Sequence, residues 1–432
     1  MAFSRKKRPS WSKLFKSATT PPIVSELTFP GHFRCPISLD LMKDPVTAPT
    51  GITYDRENIE RWLETGNSTC PVTNMALNSH GLIPNHTIRR LIQDWCASNR
   101  SHGVDRIPTP RIPITQLEAF DLLSDFSSAT KLQDKEHHLE LITKVRSLIK
   151  ESERNRRCFL SVGAPAVLAS AFRFGNSKSP VVLRETLTAL AGLLPFEDDN
   201  IMKELSSSES LNSIIQIMKN GDISCRLSSV TMLKKMASTS KDLAKSLAKQ
   251  NGLIEGLTEF IRVPISTHLT KVSLAVTFYL ISNDETMSKK CVNLGIVHSL
   301  LEILVDSDKN MTEKVLIILD ALCRFEFGRE KACEHALTVP VLAKKMFRVS
   351  ETATEFVVSV LWKVCRNCRR SNCLVECLQV GLLQKMLLLL QVGCSETTKE
   401  KATEMIKLMS SVSEKFECVD TMDFKGLNRR IS

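Results

Sequence analysis

Phe33-Arg34-Cys35-Pro36-Ile37-Ser38-Leu39-Asp40-Leu41-Met42-Lys43-Asp44-Pro45-Val46 opens a segment of mixed character. It continues through Thr50-Gly51-Ile52-Thr53-Tyr54-Asp55-Arg56, Thr69-Cys70-Pro71-Val72-Thr73 and Leu82-Ile83-Pro84-Asn85. The prolines exclude regular helix from these runs, so they read as two pinned loops around one helix, closed by a second helix. Asp55 is placed to cap the first helix, in which Ile59, Trp62 and Leu63 share a face and which Gly66 ends. Asn85 is placed to cap the second, with Ile88, Leu91, Ile92 and Trp95 on its apolar face. A segment of roughly 70 residues with two helices forms only a small core and needs staples.

Zinc is the usual staple, and the ligands for it are missing. A cross-brace needs pairs such as Cys-x2-Cys, whereas this segment holds only Cys35, Cys70 and Cys96 with His32, His80 and His86. Where the second ligand of each pair belongs, Cys35 is followed by Ser38, Asp55 by Asn58 and Cys70 by Thr73. The layout resembles a zinc RING whose second ligands have become hydrogen-bonding side chains. Polar side chains and salt bridges are therefore expected to hold the loops, with no metal and no cofactor.

Three prolines in Arg106-Ile107-Pro108-Thr109-Pro110-Arg111-Ile112-Pro113 mark a linker. Beyond it the pattern is helical and repeats. A phrase ending in a small residue precedes an apolar helix at Gly163, Gly252, Gly295 and Gly381, with degenerate copies at Ser210 and Leu337. The intervals are 47, 42, 43, 42 and 44 residues. Long apolar helices lie between, at Leu187–Leu194, Val230–Met236, Leu274–Ile281, Leu316–Cys323, Val358–Val364 and Ala402–Met409. That period is the armadillo/HEAT signature, in which each repeat buries its apolar face against its neighbours. The fold class is mainly α: a small α+β domain followed by an all-α armadillo-like solenoid. The expected divisions are a basic disordered leader (1–29), the small domain (30–103), a Pro-rich linker (104–114), helical repeats (115–415) and a tail (416–432).

Composition narrows function. The 432 residues carry a net charge of +11, with 14 cysteines. Six basic residues against Glu26 give the leader +5, while residues 30–105 hold seven bases against eight acids. No aromatic-interleaved basic motif accompanies the charge, so nucleic acid is not an expected partner. The Arg5-Lys6-Lys7-Arg8 run with Trp11, Leu14 and Phe15 suits a solvated leader, a nuclear signal or a weak membrane-surface contact. No secretory segment precedes it, which argues against disulfides and for a reducing compartment. The expected location is cytoplasmic, with nuclear or peripheral plasma-membrane pools. Cys365, Cys368, Cys373 and Cys377 have zinc-like spacing, but they span a helix end and the next helix start, and are read as packed thiols.

The segment 29–103 resembles the U-box, the zinc-free RING relative of E3 ubiquitin ligases. With the armadillo-like region it resembles the plant U-box/armadillo ligases, in the branch with no helical domain before the U-box. The Ile107–Arg111 linker is similar to that branch too. The resemblance implies a protein that docks a ubiquitin-charged E2 and promotes transfer to a substrate lysine, without a covalent ubiquitin intermediate. It implies E2 contacts through Ile37 and Leu39 in the first loop, Trp62 in the helix and Pro71 in the second loop. Asn74 stands where many members have a basic residue that positions E2 and ubiquitin together; its amide donates without charge assistance. A protein substrate is expected on the concave solenoid surface, and a role in plant stress or defence is implied. The alternative is a ligase-inactive armadillo scaffold. An import adaptor would need a Trp/Asn ladder, and only Trp362 lies in such a helix.

Overall fold

The computed structural model describes residues 29–77, 81–100, 107, 113–132, 135–174, 179–196, 198–282, 284–367 and 373–413. The expected leader, apart from Phe29, and the expected tail lie outside them. Two compact units divide between Ile112 and Pro113.

In the small unit, β1 (Pro45–Thr47) pairs antiparallel with β2 (Thr53–Asp55) and β3 (Ile83–Pro84), giving the order β2-β1-β3. The hairpin between β1 and β2 closes with Ala48 N–H on Ile52 O at 2.9 Å, and Gly51 supplies a φ of 79°. Helices α1 (Arg56–Glu64) and α2 (His86–Ser98) flank the sheet. Phe33, Met42, Val46, Tyr54, Ile59 and Ile92 form the core with the three cysteines. Leu91, expected on the buried face of α2, is exposed, and Cys96 takes the inward position. Asp44 ties both helices to the sheet by accepting from Arg56 Nε at 2.7 Å and from Arg89. Asn85 caps α2 through Ile88 N–H at 2.9 Å, while its amide donates to the Thr47 and Thr53 hydroxyls.

The expected linker contributes to both units. Ile107 is buried in the small core and its carbonyl accepts from Gln93. Ile114 N–H donates to Asn155 Oδ1 at 3.0 Å in the large unit.

The large unit opens with α3 (Gln116–Leu132) and α4 (Lys135–Glu151). Helix triplets follow, the first being Glu153–Ser161, Ala164–Phe174 and Pro180–Gly192. The third helices of the successive repeats are Pro180–Gly192, Ile223–Thr239, Thr267–Ile281, Lys309–Leu322, Glu351–Asn367 and Glu396–Ser413. They pack side by side in one row, with α4 at its head, and one continuous core runs beneath them. Four of the expected long apolar helices fall within these, while Leu187–Leu194 runs two residues past Gly192 and Leu316–Cys323 one past Leu322. Polar bonds join neighbours across the row: Lys271 to Asp308 at 2.9 Å, Lys363 to Asp320 at 2.6 Å and Trp362 Nε1 to Glu404 at 2.7 Å.

Gly163, Gly252, Gly295 and Gly381 stand immediately before the second helices with φ between 72° and 82°. The degenerate copies behave differently. Ser210 lies inside its helix (Ser208–Asn220), which Ser207 caps through Ser210 N–H, so that phrase does not mark the turn. Leu337 caps Thr338–Lys345 with an ordinary φ of −84°. A more regular marker is the residue before each third helix: Ser179, Asp222, Ser266, Asp308, Ser350 and Ser395. Asp222, Ser266, Asp308 and Ser350 each accept the N–H three residues on, at 2.6–3.1 Å.

No single helix among the described residues is long and apolar enough to cross a membrane.

Two glycines separate two costs. Gly295 has φ 82° and open space around its missing side chain. Gly295→Ala is expected to lower stability by about 1–2 kcal/mol through backbone strain alone. At Gly328 an added Cβ would lie 2.1 Å from Leu322 O, so Gly328→Ala must displace backbone and is expected to cost more. Urea midpoints of the two variants check the order.

Candidate functional site: two matched loops on one helix

The two loops are backbone copies of each other. In the first, Cys35 N–H donates to Asp40 O and Leu39 N–H to Cys35 O, both at 2.8 Å. In the second, Cys70 N–H donates to Met75 O and Asn74 N–H to Cys70 O, again at 2.8 Å. Isolated bridges close each loop, Arg34 with Leu41 and Thr69 with Ala76. Pro36, Ile37, Ser38 and Leu39 thus correspond to Pro71, Val72, Thr73 and Asn74. Both final positions are left-handed, with φ 63° at Leu39 and 56° at Asn74. Asn tolerates that region, whereas Leu is strained there by about 1–2 kcal/mol. Leu39 is nevertheless 61% exposed, so nothing in the core repays the strain.

A hydrogen-bonded hub sits where each loop would otherwise meet a metal. Cys35 Sγ accepts from Asp55 N–H at 3.3 Å and from Asn58 Nδ2 at 3.7 Å, and Asn58 also donates to Ser38 Oγ at 3.1 Å. Asp55 stands at the start of α1, but its carboxylate does not cap that helix. Oδ1 accepts from Lys43 and Asp44 N–H, each at 2.8 Å, and so closes the first loop. Burial raises the Asp55 carboxyl, and those two donors only partly offset it.

In the second hub, Cys70 Sγ faces Tyr54 OH at 2.9 Å, Thr50 Oγ1 at 3.4 Å and Thr73 N–H at 3.4 Å. Burial pushes the Cys70 thiol up, but donors from Thr50, Thr73 and Tyr54 outweigh it and bring it down to about 6. Burial, followed by the bond to Cys70, raises the Tyr54 phenol.

Helix α1 brings the loops together. Asn58 holds the first loop, and one turn later Trp62 Nε1 donates to Thr69 O at 2.8 Å and holds the second. The Trp62 ring is half-buried against the small core. Ile37 and Pro71 are half-buried, while Leu39 and Asn74 are exposed. Val72 and Met75, 52% and 61% exposed, extend the apolar surface of the second loop. Sequence reading passed over both, although the Cys-Pro repetition at 35–36 and 70–71 aligns Val72 with Ile37.

Elsewhere, Cys365 and Cys377 are buried with their sulfurs 3.7 Å apart, and Cys373 is buried too. Cys368 lies outside the described residues. Cys333 is disulfide-bonded, which corrects the expectation of free thiols throughout. No group of three or more His, Cys, Asp or Glu among the described residues is arranged to hold a metal ion.

A pair of hydrogen-bonded, RING-like loops in one unit and capped helix triplets in the other are the features of U-box/armadillo proteins. The U-box domain family matches residues 29–101, and the plant U-box protein ARM repeat region matches residues 118–428. U-box domain-containing protein 21 of Arabidopsis thaliana is 39% identical, with 94% of each chain covered. A protein named E3 ubiquitin-protein ligase PUB23, also of Arabidopsis thaliana, is 34% identical over 91% of this chain and 96% of its own. An engineered protein of known crystal structure shares the fold at TM-score 0.51, with 14% identity and 68% of each chain covered. The chain belongs to the plant U-box/armadillo-repeat family.

The depressed Cys70 thiol makes the small unit pH-sensitive. Its stabilising contribution is complete above the unfolded thiol value, about 8.5, and is lost as pH falls through about 6. Tyr54→Phe is expected to cost about 1–2 kcal/mol at pH 8 and to flatten that dependence. Urea unfolding followed through Trp62 and Trp95, with Trp11 and Trp362 replaced by Phe, checks both; an unchanged slope would show that the sulfur is not ionised.

Proposed function

We propose that the matched loops and α1 form the E2-binding groove of a U-box E3 ubiquitin transferase, with Ile37, Leu39, Trp62 and Pro71 as its contacts. The carrying observation is Leu39, a strained residue that presents its side chain to solvent. Strain without a packing return is characteristic of a recognition site. Leu39, Val72 and Met75 add exposed apolar area beside a half-buried tryptophan, which suits a weak, reversible protein interface.

In the reaction, a substrate lysine attacks the thioester carbonyl of ubiquitin on the E2, the amide forms and the E2 cysteine leaves as thiolate. The U-box lowers the barrier by orienting the E2 and ubiquitin. Burial of Cys35 and Cys70 keeps both sulfurs from accepting ubiquitin, in keeping with transfer that bypasses the ligase. Asn74 is exposed at the end of the second loop, which supports a role for its amide as a donor to the E2–ubiquitin pair. The row of third helices holds the protein substrate, whose identity would set any role in stress or defence. The protein acts in the cytoplasm, with nuclear or peripheral plasma-membrane pools set by the basic leader.

Ile37→Ala and Pro71→Ala are expected to abolish E1- and E2-dependent polyubiquitin formation by purified protein that remains folded, with the urea midpoint of Ile37→Ala lowered only modestly by the loss of its half-buried packing. Trp62→Ala also removes the bond to Thr69 and is expected to loosen the second loop, so it tests packing and docking together. Folded, fully active Ile37→Ala and Pro71→Ala variants would overturn the groove assignment. Asn74→Arg supplies a charge-assisted donor and is expected to speed ubiquitin discharge from the E2 by about three- to tenfold. Single-turnover discharge to free lysine reads that change, and an unchanged rate would remove Asn74 from the positioning role.

A further inference from the structure

The solenoid ends on an apolar stripe that nothing among the described residues covers. In the last second helix, Leu382–Val392, the exposed positions are Gln384, Leu387, Leu388, Gln391 and Val392. They recur at i, i+3, i+4, i+7 and i+8, so they form one continuous face. That face carries no charge, and Leu387 is 46% and Val392 71% exposed. Counted from the residue before each helix, Leu387 corresponds to Thr258, Leu301 and Ala343 in the preceding repeats. All three are buried, and each of their helices packs against the repeat that follows. Leu388 corresponds to Glu259, Glu302 and Lys344, which are exposed and charged. The last repeat thus keeps the position that a following repeat would bury, and makes its charged neighbour apolar as well.

The chain itself supplies a cover. Residues 393–395 join Leu382–Val392 to Glu396–Ser413, which packs along it. So short a connection joins antiparallel helices. The chain therefore leaves Ser413 past the Leu382 end, where the stripe begins. Nineteen residues follow, among them Phe416, Val419, Met422, Phe424, Leu427 and Ile431. A fully extended chain of that length reaches about 65 Å, whereas the stripe from Gln384 to Val392 is about 12 Å long. A tether this short holds the segment at roughly millimolar effective concentration, which favours it over a second copy. The ARM repeat match also continues through residue 428, past the last described helix.

We propose that residues 414–432 return over Leu387, Leu388 and Val392 and close the C-terminal end of the solenoid with their apolar side chains. The end of a solenoid needs a cap, because its last repeat has no neighbour to bury its apolar face. Left open, such a stripe recruits another copy or another protein. The proposal concerns the end of the helix stack and does not depend on the E2 or substrate reading.

The test uses the full chain with the exposed Leu388 replaced by the photocrosslinker p-benzoylphenylalanine, a change that leaves the core intact. Irradiation and peptide mapping are expected to join it to residues 414–432 of the same chain, at a yield independent of protein concentration. The same probe at Glu302 is expected to give no link to that segment. Phe416→Gln/Phe424→Gln/Leu427→Gln is expected to cut the yield from position 388 by about tenfold or more. Links between two copies would assign the stripe to self-association, and links elsewhere in the chain, or none, would leave the segment off it; each overturns the proposal. Urea midpoints followed by far-UV circular dichroism supply a second reading. Leu387→Gln/Leu388→Gln and the triple variant are each expected to lower the midpoint, and their combination to lower it no further than the larger of the two. Gln keeps the helix propensity of Leu, so unchanged midpoints, or effects that add, would also overturn the proposal.

Discussion

Tyr54 and Asp55 are adjacent on one strand, and the working surface of the small unit depends on what each reaches. Successive residues of a strand project to opposite faces. Tyr54 therefore meets Cys70 in the second loop, while Asp55 meets the first loop through its carboxylate and through its own N–H on Cys35. One strand position thus sets both loops at once. A zinc RING obtains the same result from metal bonds. Here each loop is closed by donors converging on a buried sulfur or carboxylate, so its rigidity depends on burial and on protonation rather than on metal supply.

The loops then fix what α1 can offer. Asn58 and Trp62 lie one turn apart, and each spends a side-chain donor on a different loop. Trp62 therefore both anchors a loop and shapes the groove. Leu39 shows the complementary situation: its left-handed backbone is imposed by the loop closure, and the side chain gains no burial. The surrounding hydrogen bonds over-determine that conformation, which is how a strained contact residue persists.

In the solenoid, local caps and long-range packing divide the work. Serine or aspartate begins each third helix, and left-handed glycine precedes four of the second helices. These fix where helices start, while apolar burial between neighbours fixes how they stack. Where the glycine is missing, stacking still imposes the triplet: Ser207 starts one helix three residues earlier than the glycine phrase indicates.

Much of this was legible in the sequence because it is local or periodic. The missing second ligands, the proline-pinned loops, the Asn85 cap and the repeat period all follow from residue type and spacing, and together they resemble a U-box followed by armadillo repeats. Partners distant along the chain were not legible. Asp55 was placed correctly at a helix start, yet its carboxylate serves Lys43 and Asp44, because the folded loop brings two unpaired N–H groups closer than the helix does. Ile107 belongs to a core some ten residues before it, and Leu91 gives its inward place to Cys96. Periodicity says which residues share a face; only the packed neighbours decide which face is buried and which is left open.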